Sequence, residues 1–183
     1  MRCRDAACSD AASIARIHVD SWRTTYRGVI PDDVLARLSY AARQAEWESG
    51  LCHPDGAQIV FVAEDPDDGI VGFACGGPER TGDPLYQGEL YAIYILESHQ
   101  RRGIGQELTR RVAGRLIEAG LTGMQVWVLV DNPSRGFYEK LGGLTVRTRN
   151  ITFGNAQLEE VAYGWRNLRD QPWIAVGSPK RFQ

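Results

Sequence analysis

Gln100-Arg101-Arg102-Gly103-Ile104-Gly105 follows an apolar stretch ending at Leu96 and precedes a run with helical spacing, so it reads as a strand-to-helix turn. The first turn of a helix offers backbone N–H groups without intrahelical acceptors and the positive end of the helix dipole, which together attract an anion. Gly103 and Gly105 lack Cβ, so a phosphate can approach the backbone, and Arg101 and Arg102 add positive charge at the mouth. Taken alone, a G-x-G turn with two arginines is more often a plain connection with solvated charges. Two other phosphate loops are excluded. A Walker loop needs Lys and Ser/Thr after its final glycine, where this chain has Gln106-Glu107. A dinucleotide fingerprint wants a third small residue at the position of Leu108.

Downstream lie a helix, a second strand and then Asn132-Pro133-Ser134-Arg135-Gly136-Phe137-Tyr138. This series, with Q-R-R-G-I-G at its head, resembles the acetyl-CoA site of the GNAT superfamily of N-acetyltransferases. The likeness is strongest from Glu89 to Gly142 and, through element order, covers most of the chain. It implies an α/β (α+β) fold: a central mixed, mostly antiparallel sheet of about seven strands, a parallel β-α-β unit for acetyl-CoA, and flanking helices. It also implies direct transfer of an acetyl group from acetyl-CoA to a primary amine of a small molecule or protein, without a metal. The alternative is a non-catalytic acyl-CoA-binding sensor or regulatory module that keeps the loop while its acid and base stand idle.

Carried onto this sequence, the resemblance places the cofactor on Gln100, Arg101, Arg102, Gly103, Ile104, Gly105 and Gln106, on backbone groups of Ile93, Tyr94 and Ile95 between two splayed strands, and on Asn132 and Ser134. Direct transfer needs positioning and two proton movements. An amine like that of lysine, with pKa near ~10, must lose a proton before it attacks; Glu89 matches a glutamate that serves as base, commonly through a water. If strand pairing is regular, Glu89 shares a face with Tyr91 and Ile93. The departing thiolate, whose thiol has pKa near ~8.5, gains from an acid, and Tyr138 matches the tyrosine placed beside the sulfur. The residue-level alternatives stay open: a solvated glutamate at a strand entrance, a helix tyrosine packed on the sheet, and an Asn-Pro turn-former. Trp22, Tyr26 and Tyr91, with Arg23 and Trp47, border the expected acceptor site or simply pack the core. One departure from the family pattern is Gly142-Gly143, where Gly-Phe is common.

These residues need a scaffold. A strand near residues 2–6 is followed by a helix capped at Ser9 or Asp10, with Ile14 and Ile17 on one face, running to Tyr26-Arg27-Gly28. Pro31 opens a helical piece, Asp32 to Leu38, and Tyr40 to Ser49 reads as its continuation, a possible lid, before the turn at His53-Pro54-Asp55-Gly56. Gln58–Ala63 and Ile70–Cys75 form a hairpin, and Glu89–Leu96 a third strand. The helix from about Gly103 to Ala119 carries the row Ile104, Leu108, Val112, Leu116; Met124 to Val130 is a strand buried on both faces. A short helix from Pro133 to Leu141, two strands (144–153 and 157–165) and a tail of about 167–183 complete the reading. Without repeats or linkers, residues 1–183 read as one domain whose cofactor-binding core spans about 89–142.

Composition narrows the partners. A formal net charge of -2 with interspersed signs argues against nucleic acid, and no apolar run reaches the roughly 20 residues of a membrane span. His18, His53 and His99 show no ligand-like spacing to one another or to a cysteine, which predicts no metal site. Cys3, Cys8, Cys52 and Cys75 show no C-x-x-C spacing, and no apolar leader follows Met1, which together point to a reducing cytoplasm. Cys75 reads as a small buried hydrophobe, and an edge strand leaves a homodimer open.

Overall fold

The computed structural model describes residues 1–53 and 58–175. Strand β1 (Arg2–Asp5) precedes helices α1 (Ala11–Thr25), α2 (Asp32–Ala36) and α3 (Tyr40–Cys52). Strands β2 (Ile59–Asp65), β3 (Gly69–Pro78) and β4 (Gly88–Ile95) lead to α4 (Ile104–Glu118), β5 (Met124–Leu129), α5 (Arg135–Lys140), β6 (Leu144–Phe153), β7 (Ala156–Trp165) and α6 (Pro172–Ala175). The seven strands form one sheet in the order β1-β2-β3-β4-β5-β7-β6. Only β4 and β5 run parallel; every other pair is antiparallel. The mixed sheet expected from the resemblance is present.

The apolar row of α4 is fully buried at Leu108, Val112 and Leu116 and packs with Leu90, Met124, Val126 and Val128 on one sheet face. Helices α1 and α3 cover the other face through Ile14, Ile17 and Trp47, against Val62 and Phe73. Among the described residues, no helix is long and apolar enough to cross a membrane.

Several expectations change. Asp10 does not cap α1: its carboxylate accepts from the Ala7 amide at 2.7 Å and binds Arg4, closing the turn before the helix. Tyr40 begins a separate helix, started by Ser39 Oγ accepting from the Ala42 amide, and α3 continues past Ser49 to Cys52. The turn predicted at 53–56 lies largely outside the described residues. Nor is the segment after Arg166 wholly a tail. Leu168 and Trp173 are buried, and the indoles of Trp165 and Trp173 both donate to the Leu141 carbonyl at 2.8 Å. Residues to 175 therefore close the core beside α4, and only 176–183 fall outside the description. At Gly143 a Cβ would come within 2.8 Å of the Trp165 ring, so the second glycine makes room for that indole.

Cys8 and Cys52 form a disulfide, Cα–Cα 4.9 Å, tying the turn before α1 to the last residue of α3. Their separation of 44 residues leaves no short spacing to read in the sequence. His18, on the inner side of α1, stacks on Tyr94 at 5.1 Å and is ringed by Trp22, Trp47 and Phe73. Burial pushes its imidazole down to about 4, with Arg43 acting in the same direction.

Two stability measurements follow. Replacing Cys8 and Cys52 together by serine should lower the unfolding free energy by about 2–4 kcal/mol in urea melts; unchanged midpoints would show that the crosslink contributes nothing. The unfolded chain protonates His18 near pH 6.5, and the folded chain only near 4. The contribution is therefore fully present above 6.5 and is lost, by about 3 kcal/mol, as pH falls through that window. His18→Gln should remove that part of the slope.

Candidate active site

Strands β4 and β5 pair at two positions only, Gly88 with Met124 and Glu89 with Gln125, and then separate. Their outer edges stay paired, β4 to β3 and β5 to β7, so the opening is held from both sides. A cavity of ≈720 Å³ fills the gap and extends to the first turn of α4. The splay expected only from resemblance is therefore seen in the strand register.

The loop before α4 shapes one end. Arg101 (φ 60) and Gly103 (φ 82) both adopt left-handed backbone, strain for Arg101 and none for Gly103. The first intrahelical bond runs from Glu107 N–H to the Gly103 carbonyl at 3.1 Å, which leaves the amides of Ile104, Gly105 and Gln106 without helical acceptors. At Gly105 a Cβ would press on the Phe137 ring at 3.2 Å, so this glycine serves packing, whereas nothing lies within 4 Å of one at Gly103. Gln100 Nε2 donates to the Ile95 carbonyl at 3.0 Å. Arg101 lines the cavity. Arg102 turns back to the Ser98 carbonyl at 2.9 Å, and the Ile104 side chain is buried; both border a smaller cleft with Arg2 and Arg111 instead.

Ile93, Tyr94, Ile95, Gln100, Gly103, Gly105, Gln106, Ser134 and Tyr138 all line the main cavity, as do Tyr26 and Tyr91. Asn132 lines it too, but its amide is engaged within the protein: Nδ2 donates to the Tyr26 hydroxyl at 3.2 Å, and Oδ1 accepts from the Ser134 amide at 2.8 Å. Trp22 stands behind the wall, its indole donating to the Tyr94 hydroxyl at 2.8 Å. Tyr138 packs edge-on to Phe137 and stacks on Tyr163; its hydroxyl has no hydrogen-bond partner among the described residues. Burial pushes the phenols of Tyr26, Tyr94 and Tyr138 up, so all three remain protonated donors at neutral pH.

Glu89 is placed differently from the expectation. Pairing in β4 is not regular: Cys75 faces Ala92 and Gly76 faces Leu90, which leaves Tyr91 as the extra residue of a bulge. Leu90 and Ile93 consequently share the α4 face, and Glu89 stands on the opposite face from Ile93. Its carboxylate, 2% exposed, is ion-paired with Arg80, whose guanidinium lies 4.6 Å from the centre of the Tyr91 ring, and it does not line the cavity.

Other lining residues were not picked out from the sequence. Ser21 and Thr25 come from α1, Val126, Trp127 and Val128 from β5, and Lys140, Leu141, Pro172 and Trp173 from the C-terminal part. Trp127 carries Arg149 at 4.0 Å over its ring. Phe137, expected in the core, packs there and also faces the cavity. Cys75 is fully buried, its thiol pushed up to about 12, so it offers no thiolate. Among the described residues, ligand-type atoms of Asp65, Asp68 and His99 converge at the β2–β3 turn, outside the cavity lining, where His99 Nε2 lies 3.1 Å from Asp68.

Comparison with known proteins agrees with this geometry. A family model described as FR47-like protein matches residues 83–151. The uncharacterized N-acetyltransferase YuaI of Bacillus subtilis (strain 168) is 41% identical over 165 residues, covering 90% of this chain and 92% of YuaI. The chain belongs to the GNAT family of N-acetyltransferases, and the protein is an acyltransferase. Its fold is shared with the crystal structure of PaiA N-acetyltransferase from Thermoplasma acidophilum in complex with coenzyme A (TM-score 0.68, 16% identity, 90% of this chain and 98% of that one). Ribosomal-protein-alanine N-acetyltransferase from Brucella melitensis shares it as well (TM-score 0.71, 20% identity, 91% and 99%).

The position of Glu89 generates a test. Glu89→Gln should cost about 1–2 kcal/mol of stability, since Arg80 loses its partner but is itself largely exposed. The pH profile of kcat/KM should keep its shape; disappearance of its acidic limb would assign Glu89 as the base.

Proposed function

We propose that this protein transfers the acetyl group of acetyl-CoA directly to a primary amine of a small molecule or protein. The observation that carries the reading is the separation of β4 from β5 directly in front of the unclaimed amides at the start of α4, with the Tyr138 hydroxyl on the wall between. The residues fit the donor. Amides of Ile104, Gly105 and Gln106 and the Arg101 guanidinium suit the diphosphate. Backbone groups of Ile93 and Ile95 face the β4 edge that lacks a strand partner and suit the amides of the pantetheine arm, with the Ile95 carbonyl shared with Gln100 Nε2, whereas the Tyr94 backbone faces β3. The thioester supplies an activated acyl carbon, so no nucleophile from the protein is needed, in keeping with the protonated state of Cys75.

The amine enters from the α1 side, past Ser21, Thr25 and Tyr91. Tyr138, kept protonated by burial and with no hydrogen bond to its hydroxyl among the described residues, gives its proton to the departing sulfur. Asn132 serves by shape and by holding Tyr26 rather than by reaching the donor itself. Of the charged side chains lining the cavity, Arg101 belongs to the phosphate end and Lys140 to the α5 wall.

Mixing the purified protein with acetyl-CoA and a panel of amines while following free thiol tests the reading: amine-dependent thiol release supports it, and binding without turnover across a broad panel overturns it. Tyr138→Phe should lower kcat by roughly 10²-fold while the calorimetric Kd for acetyl-CoA changes little. Equal turnover in variant and parent would remove Tyr138 from the acid role.

A further inference from the structure

Tyr26 holds a hydroxyl proton for which no acceptor is found among the described residues. The hydrogen bonds around it can be followed from one end. Trp22 Nε1–H, which can only donate, points at the Tyr94 oxygen at 2.8 Å. That N–H occupies the Tyr94 oxygen, and the Tyr94 and Tyr26 hydroxyls lie close enough to influence each other. From the other side, Asn132 Nδ2 donates to the same Tyr26 oxygen at 3.2 Å. The orientation of that amide is set by the Ser134 N–H, which occupies Oδ1 at 2.8 Å. The Tyr26 oxygen thus accepts from the Asn132 amide, and its own O–H remains available. No acceptor among the described residues takes it, although the side chain is 9% exposed and lines the cavity. A buried donor left without an acceptor is costly, and here α1, β4 and the loop after β5 all contribute to keeping it so.

We propose that Tyr26 is a catalytic residue of the acyl transfer, donating its O–H to the carbonyl oxygen of the bound thioester. The inference rests on the acetyl-CoA reading of the cavity. When the amine nitrogen bonds to the carbonyl carbon, the C=O electron pair moves onto oxygen. When that pair returns, the C–S bond breaks, and the sulfur leaves with its electrons and takes the Tyr138 proton. The nitrogen gives its proton to water, water returns one to the Tyr138 oxygen, and nothing is oxidised or reduced. Tyr26 transfers no proton in this sequence; its hydrogen bond strengthens while the oxygen carries charge. The Asn132 amide on its oxygen polarises the O–H, and because it is in place beforehand the site need not reorganise as the charge develops. The two phenols come from different elements, Tyr26 from the end of α1 and Tyr138 from α5, which allows one to serve the oxygen and the other the sulfur.

Infrared difference spectra of acetyl-CoA labelled with carbon-13 at the thioester carbonyl report this contact without any acceptor. In the parent the carbonyl stretch should lie below its solution position. Tyr26→Phe should return it toward that position and cut kcat about 10²–10³-fold, with the calorimetric Kd for acetyl-CoA within about threefold. Trp22→Phe keeps a ring behind the wall but removes the distant N–H; it should move the stretch the same way by less. An identical carbonyl stretch in parent and Tyr26→Phe, at acetyl-CoA concentrations that calorimetry shows to be saturating, would overturn the proposal. Failure of the parent to bind acetyl-CoA would overturn it together with the reading of the cavity. If the parent binds but turns over no amine, the spectra alone decide the role of Tyr26.

Discussion

The site depends on how early one pair of strands lets go. After two paired residues, β4 and β5 part, and their facing edges give up the ladder that a sheet normally supplies. The sheet survives the gap because each strand keeps its outer neighbour along most of its length, β3 for one and β7 for the other. The bulge at Tyr91 falls just past the last paired residues and redirects β4 where the opening begins. Helix α4, packed along one face of the same sheet, then presents its unbonded first turn to the open end. A strand edge without a neighbouring strand thus meets a helix terminus whose first amides have no helical acceptors.

What the cavity presents to a ligand follows from burial. Tyr26, Tyr94 and Tyr138 are all held in the protonated form, so the region where bonds would change is furnished with neutral O–H groups. Neutral donors suit a reaction in which charge appears only transiently: they stabilise it when it forms and do not bind it permanently. His18, stacked on Tyr94, is neutral for the same reason.

Much of this was legible in the sequence, and the parts that were not share a cause. The loop from Gln100 to Gly105, the α4 row and the β-α-β order are local patterns, and each appears where the residues indicated. Glu89 was misplaced because a bulge leaves no mark in composition, yet one extra residue transfers every earlier side chain to the other face. Asn132 lines the cavity, but its amide is spent on Tyr26, a partner 106 residues away. The disulfide and the packing of Trp173 are likewise contacts between distant segments. In the last case the apolar run Trp173-Ile174-Ala175 was a signal that the polar residues around it obscured. Trp127 was hidden by its strand: an apolar run buried on both faces gives no indication which side chain will border an opening.

Two of the chain's five tryptophans, Trp127 and Trp173, line the cavity, while Trp22 touches it through one hydrogen bond to Tyr94. Indole emission responds to local polarity and to nearby quenching groups, and the Trp127 ring already has the Arg149 guanidinium against it. Filling the gap between the strands would replace water beside these rings with ligand. The protein therefore carries its own optical reporter of occupancy, with one indole in the sheet and another on the segment that closes the core behind it.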